Sequence, residues 1–417
     1  MIWTIRTLGE IARQAGGEVR TGPFGSQLHK SDYVEDPAAT PVVMPKDMVD
    51  GRVDPTSIAR VDDRVVERLS SHVLRTGDIV LGRRGEIGRR AWTGDMEDGW
   101  ICGTGSMRIT INGSTEIRPR FLFYYLGLPQ TLGWLQGHAV GATMSNLSAG
   151  VVQQLPVRYP SIAVQDAIVR VLDEVEILIE NNRRRIEILE EMARLLYREW
   201  FVHFRYPGHE DVELVDSDIG PIPEGWSEIR LAEACSLVMG QSPKSEFYND
   251  IGEGLPFHQG VSDFGHRFPT HTKWTTADNR VAEPGDILFS VRAPVGRINV
   301  APDRLVVGRG LSAIRALDGH QDFLLIQLKD KFAVEDSIGG GTIFNAVTKK
   351  DMESIALLSP LNGIVGKFEA AVVPMADLVT NLTQQNIALR EARDLLLPRL
   401  VAGTLDVAEL DLGLAAV

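Results

Sequence analysis

A heptad pattern between residues 165 and 203 constrains the fold more than any other feature. Steps of four and three residues reach ten positions, nine of them apolar. They are Ile168, Leu172, Val175, Ile179, Asn182, Ile186, Leu189, Ala193, Leu196 and Trp200. This spacing is typical of a helix that pairs with another helix along one apolar seam. At 1.5 Å per residue the helix is about 50 Å long, which favours a spacer over a helix of a compact core.

The same pattern returns 200 residues later, with eight of ten positions apolar. These positions are Phe368, Val372, Met375, Val379, Leu382, Asn386, Leu389, Arg393, Leu396 and Leu400. Two such helices most simply pair with each other, and a duplicated chain favours an antiparallel pair about a pseudo-two-fold axis. Pro374 and Pro398 each lack a backbone donor, so we expect the second helix to be continuous mainly between them. Two long but ordinary core helices are the alternative.

Further apolar residues flank the first seam, namely Val171, Leu178 and Met192. A two-helix pair does not need this extra stripe, so additional partner helices are expected to cover it.

The two segments that precede the helices are related to each other. TGDIVLGRRGEIGRRAW aligns with PGDILFSVRAPVGRINV and reads as strand, glycine turn and strand, with Asp78 opposite Asp286. Residues 7–14 predict an amphipathic helix, residues 41–49 a strand and residues 120–136 one aromatic-rich helix. Asn146 aligns with Asn345, and Ser145–Asn146 predicts a helix N-cap. The chain is therefore one duplicated unit, each copy a globular domain followed by a long helix.

Composition limits the classes of protein. The length of 417 residues suits two domains, no run of 18 apolar residues predicts a membrane span, and two distant cysteines favour a reduced, cytoplasmic protein. The net charge of −13 is uneven, since residues 1–160 carry +1 and residues 207–360 carry −9. Five arginines cluster in the first domain, at positions 75, 83, 84, 89 and 90. This cluster favours phosphate binding, whereas the acidic second domain opposes it.

Catalytic motifs are missing from the sequence. It has no phosphate-binding loop, no H-E-x-x-H, no cysteine–histidine cluster at zinc spacing and no amino-methyltransferase tetrapeptide. His29, His258 and His271 are isolated in the sequence, so surface or structural roles are favoured over metal or acid–base roles. We therefore expect a binding protein without a catalytic site and without a bound metal.

Two related but different domains on an antiparallel spacer can read the two halves of an asymmetric duplex target. A spacer of about 50 Å corresponds to roughly one to one-and-a-half turns of duplex. The competing hypothesis is a protein–protein adaptor with two binding domains on a helical strut, which the acidic second domain favours and the arginine cluster opposes.

The strings TGPFGSQL, GDIVLGRRG, LYREWFVHFRYPG, GDILFSVRAPVG and LLLPRLVAGTL resemble the specificity (S, HsdS) subunits of type I restriction–modification systems, from about Thr7 to Thr404. The resemblance implies an α+β fold, with two related α/β target recognition domains separated by two long antiparallel coiled-coil helices. The expected divisions are domain 1 (1–160), spacer helix 1 (161–206), linker and domain 2 (207–361), spacer helix 2 (362–405) and a tail (406–417).

The resemblance also implies partners. The chain would bind double-stranded DNA and two methylase subunits, and restriction subunits would join through that complex. S-adenosylmethionine, ATP and magnesium would be bound by those subunits, so no cofactor is expected here.

Candidate DNA contacts are basic and amide side chains in the predicted turns and loops. In the first domain they are Ser26, Gln27, Lys30, Lys46, Arg83, Arg84, Arg89 and Arg90; in the second they are Lys244, Gln259, Arg267, Lys273, Arg292 and Arg297. Thr143, Asn146, Thr342 and Asn345 lie in repeated loops and are candidates as well. Solvated surface is the alternative for the basic residues, and helix capping for the last four.

Overall fold

The computed structural model describes residues 3–113, 116–141, 146–217, 220–337 and 346–405. The chain forms two compact units. Unit 1 comprises Met1–Ile179 and Ala388–Val417, and unit 2 comprises Glu180–Ile387. Each unit therefore holds one globular domain and a part of each long helix. No helix among the described residues is long and apolar enough to cross a membrane.

The first domain is a mixture of short strands and helices. Its strands are β1 (Thr4–Thr7), β2 (Glu18–Thr21), β3 (Tyr33–Val34), β4 (Thr40–Val43), β5 (Met48–Val49), β6 (Arg52–Val53), β7 (Ala59–Val61), β8 (Ile79–Gly82), β9 (Arg90–Trp92), β10 (Ile101–Cys102), β11 (Ser106–Thr110) and β12 (Pro156–Tyr159). Its helices are α1 (Leu8–Gln14), α2 (Asp63–Arg68), α3 (Pro119–Tyr125), α4 (Pro129–Gly137) and α5 (Ala149–Gln153), followed by the long α6 (Ile162–Tyr197). A π-helical turn, Arg198–Val202, extends α6.

The second domain repeats this organisation. Its strands are β13 (Leu214–Val215), β14 (Ile222–Pro223), β15 (Ser227–Arg230), β16 (Cys235–Met239), β17 (Tyr248–Asn249), β18 (Leu255–His258), β19 (Trp274–Thr275), β20 (Val281–Ala282), β21 (Ile287–Ser290), β22 (Ile298–Val300), β23 (Leu305–Val307), β24 (Leu311–Ala316) and β25 (Ala356–Ser359). Its helices are α7 (Leu231–Ala234), α8 (Gln321–Ser337) and α9 (Lys349–Glu353), and the long α10 (Asn362–Ala402) follows.

A central antiparallel sheet recurs in both domains. Its strand order is β2-β11-β8-β9 in the first domain and β16-β24-β21-β22 in the second. Every residue of β8 and of β21 is buried, as expected for the middle of a sheet that is covered on both faces. A second sheet lies beside each, β10-β4-β7-β3 and β17-β19-β18-β23-β20. The predicted duplication is confirmed at the level of strand order.

The long helices pair in an antiparallel sense within each unit. In unit 1, Ile168 and Leu172 share a core with Leu397 and Leu400, which lie near the end of α10. In unit 2, Ile186 packs with Val379 and Leu382, and Tyr197 lies 6.2 Å, centroid to centroid, from the Phe368 ring. In both units, residues later in α6 therefore pack against residues earlier in α10, as they do in an antiparallel pair.

The seam residues differ in burial. Ile168, Leu172, Ile179, Ile186, Val372, Val379 and Leu382 are buried, whereas Val175, Leu189, Leu196, Leu389 and Leu396 are half-buried. Polar pairs interrupt the seam once in each unit. Arg393 bonds Glu176 at 2.7 Å in unit 1, and the Asn182 amide donates to Asn386 Oδ1 at 3.1 Å in unit 2.

Four predictions about elements need correction. Helix α10 runs unbroken from Asn362 to Ala402, so the expected interruption at Pro374 and Pro398 is wrong. The lost hydrogen bonds are outweighed by the apolar face that α10 buries. Residues 120–136 form two helices, because Pro129 suits the first turn of a new helix. The strand expected at 41–49 is split by a 3₁₀ turn, Pro45–Asp47.

The last correction concerns a helix cap. Ser148 caps α5 by accepting a hydrogen bond from the Val151 N–H at 3.2 Å, so Asn146 is not the N-cap. The prediction placed the cap three residues too early, because residues 145 and 148 are both serines. Ser145 itself lies outside the described residues. The short helix at 7–14 is confirmed as α1, with Thr7 and Glu10 forming a capping box.

Candidate nucleic-acid interface

The turn that joins β8 to β9 carries three of the predicted basic contacts. Gly85 and Gly88 adopt positive φ angles of 72° and 97°, which lets the chain reverse tightly. Arg84 is exposed at the tip of this turn, and Arg89 is half-buried and ion-paired with Glu86. The turn therefore presents Arg84 to solvent, without an ion-pair partner among the described residues.

Other predicted contacts lie next to this turn. Arg89 Nη1 is 3.5 Å from the Pro45 carbonyl oxygen, and Pro45 precedes Lys46, which is exposed and donates to the Ser57 carbonyl at 3.1 Å. Asn146 forms a β-bridge with Arg84. The structure therefore brings Lys46, Arg84, Arg89 and Asn146 to one side of the first domain.

The glycine- and proline-rich loop supplies a second group. Ser26, Gln27 and Lys30 are all exposed. The Gln27 side chain accepts a hydrogen bond from the Phe24 N–H at 3.1 Å, which fixes the loop locally. The Phe24 ring in turn lies 5.4 Å from the Arg83 guanidinium carbon, so this loop is joined to the β8–β9 turn.

Two of the predicted contacts in the first domain, Arg83 and Arg90, are not exposed in this structure. Arg83 is 2% exposed, donates from Nη1 to Asn146 Oδ1 at 2.9 Å, and has its pKa lowered by burial. Arg90 points into the protein, where Nε donates to the Phe123 carbonyl at 3.0 Å. Burial lowers the pKa of Arg90 to about 10. Strand pairing alternates side chains across the sheet, which turns Arg90 away from the turn's exposed side.

In the second domain, five of the six predicted contacts are exposed: Lys244, Gln259, Lys273, Arg292 and Arg297. Arg292 occupies the turn position that Arg84 holds in the first domain, and it forms the matching β-bridge to Ala346. Gln259 is held by the Ser242 hydroxyl at 2.7 Å. The structure thus repeats an exposed arginine at the same turn in both domains.

Arg267 is the exception in this domain, because it is the one predicted contact of the six that is buried. Its side chain is 9% exposed and lines a cavity of about 470 Å³ beside α6, α8 and α10. Burial lowers its pKa, while the carboxylates of Asp322 and Glu190 act in the opposite direction. A basic residue in a loop is usually exposed. Arg267 is buried because residues of α6, α8 and α10, which are distant in sequence, lie around it.

Two of the three histidines singled out in the sequence, His258 and His271, lie side by side in the structure. His258 is fully buried, and its Nε2 lies 2.9 Å from Nδ1 of His271, whose Nε2 lies 3.2 Å from Asp303. Burial lowers the pKa of His258. Two residues that seemed isolated are therefore one hydrogen-bonded pair. Over the described ranges, no group of three His, Cys, Asp or Glu side chains could hold a metal ion.

Three candidates cannot be placed, because Thr143, Thr342 and Asn345 lie outside the described residues. The repeat alignment itself needs a correction. Asn146 bridges Arg84 and Ala346 bridges Arg292, so the residue equivalent to Asn146 is Ala346 and not Asn345.

Comparison with known proteins shows which family this chain is similar to. The family model described as "Type I restriction modification DNA specificity domain" matches residues 3–191. The putative type I restriction enzyme MjaX specificity subunit of Methanocaldococcus jannaschii is 29% identical over 371 residues, covering 86% of this chain and 83% of the relative. The MjaIX specificity subunit of the same organism is 24% identical over 428 residues, covering 98% and 94%. The chain is thus similar over most of its length to specificity subunits of type I restriction–modification systems.

A solved structure agrees with the fold of this chain. The crystal structure of the type I restriction–modification S subunit from M. genitalium aligns with a TM-score of 0.55 at 17% identity, covering 96% of both chains. At this identity the likeness concerns the fold alone. The predicted architecture of two related domains with two long helices is confirmed, and the adaptor hypothesis finds no support in the comparisons.

Sequence reasoning did not single out one residue that lies beside the candidate contacts. Phe24 is 54% exposed and lies against Arg83. The sequence offered only a weak signal for it, an aromatic residue between Pro23 and Gly25 in a loop rich in glycine and serine.

Proposed function

We propose that this chain acts as a specificity subunit and reads a bipartite, asymmetric DNA target, with each globular domain binding one half-site. One observation carries the proposal: the strand–turn–strand unit recurs in both domains with an exposed arginine at the same turn position, Arg84 and Arg292. An exposed arginine can bond a guanine edge or a phosphate. Around these turns the side chains differ, so the two half-sites are expected to differ in sequence.

The two long helices are proposed to set the gap between the half-sites. Helix α6 has 36 residues and is therefore about 54 Å long. The division into domain 1 (1–160), spacer helix 1 (161–206), linker and domain 2 (207–361), spacer helix 2 (362–405) and tail (406–417) belongs to this proposal.

The helices are also proposed to dock two methylase subunits, and restriction subunits would join through that complex in the cytoplasm. Apolar side chains left uncovered on α6 support this role. In unit 2 they are Ile188, Met192 and Leu195, and in unit 1 they include Ile177. Methylation and cleavage, with their cofactors, are assigned to those partner subunits, and this chain is assigned no catalytic site.

The proposed role of the long helices in setting the gap is tested by deleting one heptad from each helix. Residues 183–189 and 379–385 face each other in unit 2, since Ile186 packs with Val379 and Leu382. Removing both stretches shortens the pair by about 10 Å, which corresponds to roughly three base pairs of duplex. Sequencing methylated adenines in cells that carry the complete system reads out the target. We expect both half-sites unchanged and a gap shorter by about three base pairs.

A matched seven-residue insertion at the same place is the control and should lengthen the gap by a similar amount. A continuous target in the wild type, or altered half-sites with an unchanged gap in the deletion variant, would contradict the proposed function.

A further inference from the structure

Arg83 and Val291 occupy the same backbone position in the two domains. Each follows the central strand, β8 or β21, and each N–H donates to a glycine carbonyl, at 2.8 and 2.9 Å. Each carbonyl accepts a hydrogen bond from the N–H of a residue two positions before a short helix, α5 or α9, at 2.9 and 2.8 Å. The partners are Gly105 and Leu147 for Arg83, and Gly310 and Val347 for Val291. The shared fold therefore accepts either side chain at this position.

Val291 shows which kind of side chain suits the packing at this position. It is 3% exposed and belongs to an apolar core with Ile287 and Phe289. Arg83 is equally buried but places a guanidinium there, and a buried donor without a partner is destabilising. A costly group at a position that valine can fill is expected to have a function beyond stability.

Only part of the Arg83 guanidinium is hydrogen-bonded, and the unbonded part has a defined geometry. Nη1 donates to Asn146 Oδ1, and the ring of Phe24 lies over the group. Nε and Nη2 are buried and have no hydrogen-bond partner among the residues described. These two N–H groups are the parallel pair of the guanidinium, the edge that binds two adjacent acceptors at once.

The residues that hold Arg83 are absent from the second domain together with it. Gly22 and Gly240 make equivalent hydrogen bonds to the central sheet, to Ser106 and Leu311, so Phe24 corresponds to Ser242. Asn146 corresponds to Ala346. Arginine, phenylalanine and asparagine thus change together to valine, serine and alanine, while the main-chain hydrogen bonds of Arg83 are kept at Val291.

We propose that Arg83 is a specificity-determining residue of the first domain, held by Asn146 beneath Phe24, whose Nε–H and Nη2–H bind a planar pair of acceptors on the duplex. The pair is either N7 and O6 of a guanine or two oxygens of one phosphate. The Phe24 ring moves aside when the duplex binds. Phe24 is 54% exposed, so its ring has solvent to move into. This inference rests on the proposed function.

The test uses the complex of the full chain with its methylase subunits, and four forms of the chain: wild type, Arg83→Val, Arg83→Lys and Arg64→Val. Arg64 is a matched control, since it is an exposed arginine on α2 and is not a candidate contact. Dissociation constants are measured for the target duplex and for duplexes changed at each base of the first half-site, at two salt concentrations. Urea denaturation of each chain is measured in parallel.

Arg83→Val should weaken target binding by about 10- to 100-fold, the loss expected for one bidentate contact. Its urea midpoint should stay the same or rise, because valine fits this position in the second domain. A guanine contact predicts that discrimination is lost at one base only and that Arg83→Lys, which lacks the parallel pair, does not restore it. A phosphate contact predicts a uniform loss with a salt dependence lower by about one ion, partly restored by lysine. Arg64→Val should bind as the wild type does.

Unchanged binding by Arg83→Val would overturn the inference, and so would a weaker affinity accompanied by a lower urea midpoint, which would mark a purely structural role. A wild-type complex with no salt-dependent duplex binding would instead refute the proposed function. The two failures are therefore distinguishable.

Discussion

In the first domain the residue after the central strand is a buried arginine, and in the second domain it is a buried valine. The backbone hydrogen bonds around the two are the same within 0.1 Å. The domains also differ in charge, +1 for residues 1–160 and −9 for residues 207–360. A duplicated scaffold has therefore kept its strand ladder while the side chains that the ladder positions have diverged. This is the arrangement expected of two modules that bind different half-sites.

The sharpest way to break this comparison is Val291→Arg. The second domain lacks the equivalents of Phe24 and Asn146, so the new guanidinium would be buried without partners. We expect the free energy of unfolding of unit 2 to fall by about 3–5 kcal/mol. Urea denaturation of the full chain measures it, with Arg83→Val as the reciprocal control. A variant as stable as the wild type would show that the two sites are interchangeable after all.

A smaller effect is expected at the carboxylates that precede the central strands. Asp78 and Asp286 each accept a backbone N–H from three residues earlier, both at 2.8 Å. Asp286 also binds Arg315 through two hydrogen bonds of 2.6 and 2.8 Å, whereas Asp78 accepts from the Thr110 hydroxyl. Asp286→Ala should therefore cost about 2–3 kcal/mol of unfolding free energy, more than Asp78→Ala. Equal losses in urea denaturation would mean that the Arg315 bonds add nothing.

The smallest effect concerns the helix seams, which carry an ion pair in unit 1 and an amide pair in unit 2. Asn182→Leu removes the donor to Asn386 and should cost about 1 kcal/mol. The double variant Asn182→Leu, Asn386→Leu should recover this loss, because two leucines pack without any polar group to satisfy. A double-mutant cycle by urea denaturation measures the coupling. Additive losses would show that the two amides act independently.

The sequence predicted the long helices and the duplication because both depend on local pattern. The heptads of α6 and α10 and the strand–turn–strand of residues 76–92 need no knowledge of distant contacts. Pro374 was misjudged for the opposite reason, since the seam that keeps α10 continuous is formed with a helix about 200 residues away.

The exposure of the candidate contacts was harder to predict, again because burial is a long-range property. Arg84 and Arg292 are exposed at a turn that glycines make recognisable. Arg83, one residue earlier, is buried by Phe24 and Asn146, and Arg267 lines a cavity formed with α8 and α10. Basic character can be read from the sequence, but the direction of a side chain depends on what packs against it.

The division into units also has a consequence for the order of folding. Unit 2 is one continuous stretch, Glu180–Ile387, whereas the core of unit 1 includes Leu397, Leu400 and Val401 from the end of α10. A chain emerging from the ribosome therefore exposes every residue of unit 2 before unit 1 can close its core. Residues 1–179 are synthesised first, but their unit completes its core last. Until the end of α10 has been made, Ile168 and Leu172 lack part of the apolar surface that packs on them.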